Sequence, residues 1–474
     1  MLTRRDMLKL AAVGGVAGIV PLEQIAAAAD PVPPAESTPF TAVMPIPPVL
    51  APARDSRCDR YDITMRTARV EIIPGLLSTV NTYNGLFPGP TIVAQRGRAV
   101  RIRQTNELSV LTGVHLHGGK VPAAHDGHPT DTIAPGASRV YDYPNNQSAA
   151  PLWYHDHAHM IEGDNVYSGL SGAYLVTDQQ EQSLPLPHGR YDVPLQIRDA
   201  RVLSDGTLYY TRAQDRPHVL VNGKERPRFE VAARRYRLRI FNTSVDRPFD
   251  LRFADGSEFV LIGTDGGLLS EPVRVQSLLL GAGERADVVV DFARYAVGGS
   301  VVLVNAAALA TENADVMRFD VVCTASDSSK VPGKLAAVPP LPKATVERNF
   351  VLAQDWTRGA LINGNVYDPN RVDVQTRLGT TEIWTITNAD PAGPPPNFHL
   401  NHSFHTHLAD FRVLDRNGKP PAPTELGCKD VVRIPPGDTV RIAMTWSGYT
   451  GRFVFHCHQL PHSEWGQMAT IEVV

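Results

Sequence analysis

The chain has 474 residues, of which 43% are hydrophobic and 20% charged, and it carries a net charge of −3. That length holds roughly three domains, and the composition is that of a globular rather than a disordered protein. Scattered Lys and Arg offer no basic face for nucleic acid or an anionic membrane, whereas a nearly neutral surface suits small molecules.

The chain starts with an address. Thr3-Arg4-Arg5-Asp6-Met7-Leu8-Lys9 places two adjacent arginines before an apolar run, Leu10 to Leu22, and Ala26 to Ala29 supply small residues for cleavage. This is the pattern of a twin-arginine export signal over 1–29. The run falls short of the about 20 residues a spanning helix needs. The mature chain is therefore expected to be periplasmic or secreted, with the twin-arginine export machinery as a partner and without stable membrane insertion. That route carries folded proteins. Residues 30–55 are Pro-rich and expected to be extended. Only four cysteines occur, Cys58, Cys323, Cys428 and Cys457. This is no disulfide scaffold, although the first three leave room for one bridge.

Periodicity of two dominates the rest. Val100 and Ile102 alternate with Arg101 and Arg103, and Tyr236, Leu238 and Ile240 with arginines. Val440, Ile442, Met444 and Trp446 alternate with Thr439, Arg441, Ala443 and Thr445. These read as half-buried strands of antiparallel sheets, and 37 glycines with 39 prolines supply turns. Two markers recur about 150 residues apart. One is a turn, in Ile133-Ala134-Pro135-Gly136, Leu280-Gly281-Ala282-Gly283 and Ile434-Pro435-Pro436-Gly437. The other is an asparagine ending a strand, in Asn106, Asn242 and Asn388. Three like β-sandwich domains explain this spacing, over 56–180, 190–325 and 344–474, with a Ser/Pro-rich linker at 326–343.

Most of the 16 histidines fall in four clusters: His115-Leu116-His117, His155-Asp156-His157, His402 with His405-Thr406-His407, and His456-Cys457-His458 followed by His462. Two lie in the first unit and two in the third; the middle unit has only His188 and His218. On a strand, residues two apart point the same way. Each His-x-His can thus aim two imidazoles into one cavity, and four pairs supply eight. No structural role asks for eight converging histidines, whereas imidazole suits copper, zinc, iron and nickel. Cys457 points away from its two neighbours. A thiolate with two histidines and a weak axial ligand is the arrangement of blue copper, and His402 and His462 are the available imidazoles.

These clusters resemble the four copper-binding motifs of the multicopper oxidases, a family that includes laccases, bilirubin oxidases, phenoxazinone synthases and bacterial spore-coat laccases. The likeness extends to Tyr83-Asn84-Gly85-Leu86-Phe87-Pro88-Gly89-Pro90-Thr91. Leu152 to His157, with Asn165-Val166-Tyr167-Ser168-Gly169, is most similar to the bilirubin-oxidase and spore-coat branch. The resemblance implies an all-β fold of three consecutive cupredoxin-like Greek-key domains and four coppers per chain: one type 1, one type 2 and two type 3. By position, His115 and His405 would hold the type 2 copper. His117, His155 and His458 would hold one type 3 copper, and His157, His407 and His456 the other. His402, Cys457 and His462 would hold the type 1 copper. Asp126 stands where relatives carry an acid near the trinuclear cluster, though an ordinary turn aspartate in Asp126-Gly127 fits as well. The implied reaction takes single electrons from small reducing substrates such as phenols or aromatic amines and reduces O2 to water.

The axial neighbour of the type 1 copper usually follows the cysteine by ten residues and is often Met. That position is Gln467, with Met468 one later. A regular strand cannot present both; Gln467 is favoured, and a β-bulge would present Met468 instead. His125, His128, His159 and His399 lie beside the motifs and are read as surface or supporting residues. The Pro-rich loop Pro391 to Pro396 is expected at the substrate rim. A zinc hydrolase would not need Cys457 inside His-Cys-His. A copper-tolerance cuprous or Mn(II) oxidase, or a non-catalytic copper-binding envelope protein, is the alternative; the cuprous oxidase is disfavoured by only eight scattered Met, the envelope protein by the filled ligand positions.

Overall fold

In each third of the chain the two repeat markers hydrogen-bond to each other. Asn106, Asn242 and Asn388 close the strands Ala99–Asn106, Arg235–Asn242 and Thr381–Asn388. Each asparagine amide donates to the first carbonyl of its turn, at Ile133 (2.9 Å), Leu280 (3.0 Å) and Ile434 (2.9 Å). The turn glycines return their N–H to the asparagine carbonyls, Gly136 to Asn106 at 2.7 Å, Gly283 to Asn242 at 2.9 Å and Gly437 to Asn388 at 3.0 Å. Those glycines sit at φ 78, 88 and 79, a region that a Cβ disfavours. The same corner is thus built three times.

The structure is a computed structural model that describes residues 32–309, 312–393 and 400–474. The export-signal segment, His399 and the half of Pro391 to Pro396 from Pro394 onward lie outside the described residues. Each third forms two packed sheets. In the first, a five-stranded sheet built on Cys58–Ile73 and Ala99–Asn106 packs on a four-stranded sheet containing Val114–His117 and Ala150–Asp156. The middle third pairs a seven-stranded with a five-stranded sheet, and the last pairs two five-stranded sheets. Each has its own apolar core, formed by the inward residues of both sheets. The fold is the expected series of three cupredoxin-like domains.

Several expectations are corrected. The sheets are mixed rather than antiparallel: Cys58–Ile73 runs parallel to Ala99–Asn106, Asp192–Ala200 to Arg235–Asn242, and Val346–Asp355 to Thr381–Asn388. A Greek-key crossover brings non-consecutive strands side by side in this sense. The strand Arg235–Asn242 is buried on both faces, because Glu181 of the short helix Gln179–Ser183, Asp192 and Asp287 cover Arg237 and Arg239. Arg237 and Arg239 are therefore ion-paired interior residues. Residues 326–343 are pinned to the middle domain, with Asp327 accepting from Arg234 at 2.9 Å and Leu335 buried in its core. From residue 32 onward the Pro-rich segment is extended, and it bridges to Leu203, Arg228 and Thr91. Cys58, Cys323 and Cys428 are all unpaired, so the allowance for a bridge is not realised. No helix among the described residues is long and apolar enough to cross a membrane.

Candidate metal centre

The four histidine pairs meet between the first and third domains. His115 and His117 end the strand Val114–His117, and His115 lies directly across from His155. His405 lies across from His456 in the same way, and Phe404 across from Cys457. His115 stacks on His407 with ring centroids 3.7 Å apart, and His117 on His405 at 3.8 Å. His157 Nε2 and His456 Nε2 are 3.2 Å apart. Three sets of donor atoms each lie within 4.8 Å of one another: His115 with His405 and His407; His117 with His155 and His458; His157 with His407 and His456. All eight imidazoles are fully buried.

Buried polar atoms normally have partners. Here Nε2 of His115, His405 and His407 and both ring nitrogens of His458 have none. Burial and the neighbouring imidazoles hold His115, His117, His405, His407 and His458 well below the usual histidine range. Burial takes His155 down to about 3 and His456 to about 4. These are neutral rings with lone pairs aimed inward, the state in which imidazole binds metal. His157 is the exception. Burial opposes its charge, but Glu162 Oε2 lies 2.8 Å from its Nδ1 and raises its pKa.

Cys457 faces the other way. Its Sγ lies 3.6 Å from His402 Nδ1 and 3.5 Å from His462 Nδ1, and Ser403 N donates to it at 3.4 Å. Burial pushes the thiol up to about 12, so only a bound cation would hold it as thiolate. Asp390 Oδ2 is 3.1 Å from His402 Nε2, and the Gln354 amide is 3.2 Å from His462 Nε2. Trp356, 58% exposed, packs its ring 5.4 Å from Trp465, three residues beyond His462. Met468 lies across from His456 and packs on Val454 and Tyr367, with no register shift along that strand pair. Gln467 is fully buried. Its amide donates to Leu361 O at 3.2 Å, and its Oε1 has no partner.

Asp126 belongs to the cluster. Its carboxylate accepts from His407 Nδ1 and its carbonyl from His115 Nδ1, both at 2.6 Å. Burial pushes its carboxyl up to about 8. The other flanking histidines stand apart. His125 is 4.0 Å from Asp142, His128 bonds Thr130, His159 packs on Tyr367, and His218 bonds Ala35 O. Sequence reading missed Asp430, whose Oδ1 is 3.0 Å from His117 Nε2, as well as Glu162, Asp390 and Gln354. None sits in a recognisable motif, and Asp430 reaches a histidine 313 positions away.

Three profiles of the multicopper oxidase family match residues 64–181, 199–317 and 337–474. The chain belongs to the multicopper oxidase family. It is 34% identical to a laccase of Bacillus subtilis, over 92% of this chain and 98% of that one. It is also 34% identical to a bilirubin oxidase of Albifimbria verrucaria, over 91% and 80%. The fold superposes on a multi-copper oxidase of Pediococcus acidilactici with a TM-score of 0.83 and 31% identity, covering 94% and 93%. It is a laccase-like multicopper oxidase, a copper-dependent oxidoreductase with O2 as acceptor.

Proposed function

We propose that this multicopper oxidase binds four coppers and oxidises small aromatic reductants, phenols or aromatic amines, one electron at a time. His115 and His405 would hold the type 2 copper, and His117, His155 and His458, with His157, His407 and His456, the type 3 pair. His402, Cys457 and His462 would hold the type 1 copper, with Gln467 rather than Met468 as its axial neighbour. The observation that carries this reading is the inward set of unpartnered imidazole nitrogens beside a buried thiol flanked by two histidines. Gln467 is favoured because its unpartnered oxygen follows Cys457's side of the strand pair, while Met468 shares the face of His456. An amide oxygen is a harder donor than a thioether and favours the oxidised metal.

When bound, copper accepts single electrons from the reductant and supplies four to O2, yielding water. The residues organise that exchange. Cys457 is covalently adjacent to His456 and His458, and its carbonyl accepts from His456 Nδ1 at 3.0 Å. The sulfur site and the imidazole cluster are therefore joined by the shortest path a chain allows. Asp126 anchors His115 and His407 and stands ready to hold a proton beside the cluster. Trp356 and Trp465, their rings tilted 50° to each other, offer an apolar aromatic surface next to the segment that carries His462, which suits an aromatic donor. The domain limits 56–180, 190–325 and 344–474 and export through the twin-arginine signal to the periplasm or medium belong to the same proposal.

Copper quantitation, a visible spectrum and O2 uptake on a phenolic dye test it. About four coppers per chain, a blue band and O2 consumption are expected. Zinc without colour would overturn it, and O2 consumption with Cu(I) or Mn(II) but with no aromatic donor would replace the substrate class.

A further inference from the structure

The middle domain supplies none of the clustered histidines, yet it reaches the cluster through one buried arginine. The five guanidinium N–H groups of Arg285 all have acceptors. Nε donates to Pro151 O of the first domain (3.0 Å), Nη1 to Gly283 O (2.9 Å) and Nη2 to Asp265 O (3.1 Å). The remaining two form a fork on Asp430 of the third domain, both at 2.5 Å. Asp430 in turn touches two imidazoles. Its Oδ1 accepts from His117 Nε2 at 3.0 Å, and its backbone carbonyl accepts from His405 Nδ1 at 2.7 Å. Gly118 follows His117 with φ +80, and a Cβ there would stand 2.5 Å from Asp430 Oδ2 and 3.0 Å from Arg285 Nη2, so the chain leaves room for the fork. Beside it Lys429 Nζ pairs with Asp265 (2.9 Å) and Glu284 (3.1 Å), both of the middle domain.

We infer that Arg285 is a positioning residue for the trinuclear site: by locking Asp430 it fixes which nitrogen of His117 and of His405 faces the metal. A carboxylate on Nε2–H leaves His117 its Nδ1 lone pair, which lies 3.4 Å from His155 Nε2. A carbonyl on Nδ1–H leaves His405 its Nε2 lone pair, which has no partner. One residue thereby sets opposite tautomers on a histidine from each outer domain, and the clamp on that residue comes from the domain between them. Hydrogen-bond partners of this kind orient ligands and set their basicity. The inference rests on His117 and His405 being ligands. Lysine cannot replace the clamp, because an ammonium cannot grip both carboxylate oxygens in a fork.

The test uses the copper-loaded full chain with Arg285→Lys, Asp430→Asn and Lys429→Gln, together with imidazole 15N shifts of the copper-free wild type. The expected wild-type tautomers are Nε2–H for His117 and Nδ1–H for His405. Arg285→Lys and Asp430→Asn keep the blue band but change the electron paramagnetic resonance signature of the type 2 copper and lower O2 turnover by about tenfold or more. Lys429→Gln, in the same network but touching no ligand, lowers Tm and leaves that signature alone. Wild-type signatures and turnover in both Arg285→Lys and Asp430→Asn, or an equal change in Lys429→Gln, would reduce the network to an interdomain lock. If the variants do not fold, the wild-type shifts decide, and the opposite tautomers overturn the inference. A wild type that takes up no copper fails the proposed function itself, a separate outcome.

Discussion

Asp126 and Asp430 play the same part in the two outer domains. Each accepts from a histidine of its own domain through its backbone carbonyl, His115 for Asp126 and His405 for Asp430. Each accepts through its carboxylate from a histidine of the other outer domain, His407 for Asp126 and His117 for Asp430. The relation follows from the repeat, since His115 across from His155 matches His405 across from His456. The two acids differ in surroundings. Burial raises Asp126 to about 8 with only His157 opposing it, whereas burial raises Asp430 to only about 6 against the Arg285 fork.

Removing the Asp126 carboxylate should uncouple the two halves of turnover. Asp126→Ala frees His407, and O2 uptake is expected to fall about 10- to 100-fold. Anaerobic bleaching of the blue band by a reductant should keep its rate, since Cys457 lies on the other face. Asp126→Asn keeps an acceptor for His407 and should retain copper better than Asp126→Ala. Equal slowing of bleaching and O2 uptake would count against this division.

The axial position is open to redox titration. Gln467→Met exchanges an amide oxygen for a thioether and should raise the type 1 reduction potential. Met468→Leu, a change in the packing against Val454 and Tyr367, should leave it in place. A shift in the second variant and none in the first would reverse the assignment.

Aromatic donors should sense Trp356. One aromatic contact is worth roughly 0.5–1.5 kcal/mol, so Trp356→Ala is expected to raise KM for a planar phenolic dye between about two- and tenfold. The KM of a small inorganic one-electron donor should not follow. Parallel steady-state measurements with both donors, on protein of equal blue absorbance, make the check.

The copper-free protein should be sensitive to acid. Seven of the eight clustered imidazoles are held neutral by burial and by one another, His155 to about 3 and His456 to about 4. Their folded pKa values lie below the unfolded value near 6.5. Between the two the unfolded chain binds more protons, so stability is complete above about pH 6.5 and is lost as pH falls toward the folded values. Each independent group adds a slope of about 1.4 kcal/mol per pH unit. Two such groups would remove most of an ordinary domain's stability within two or three units. Thermal melts of copper-free protein from pH 8 to pH 4 should show a falling Tm, and a flat profile would contradict the neutral cluster.

Much of the centre is written locally. Period-two placement puts His115 with His117 and His456 with His458 on one side of a strand and Cys457 on the other, whatever the rest of the chain does. The threefold corner is equally local in its parts, because Asn106, Asn242 and Asn388 and the left-handed turn glycines are residue types with few other uses. The axial choice needed more. Alternation said only that one of Gln467 and Met468 faces the sulfur, and the proposal of Gln467 draws on the register of Met468 against His456.

Alternation misled at Arg237 and Arg239. It reports which side chains share a face and says nothing of what covers that face, which here is Glu181, Asp192 and Asp287. Asp430, Arg285 and Glu162 were beyond the sequence for the same reason. Each is a single charged residue in an unremarkable setting, and its meaning lies in a partner up to 313 positions away. Which imidazoles and which metal chemistry the protein commits to was decided by spacing along strands. Which nitrogen His117 and His405 present is decided by Asp430 and the arginine that clamps it, brought together only when three domains pack, because hydrogen bonds of 2.5 to 3.0 Å act through space and leave no periodicity in the chain.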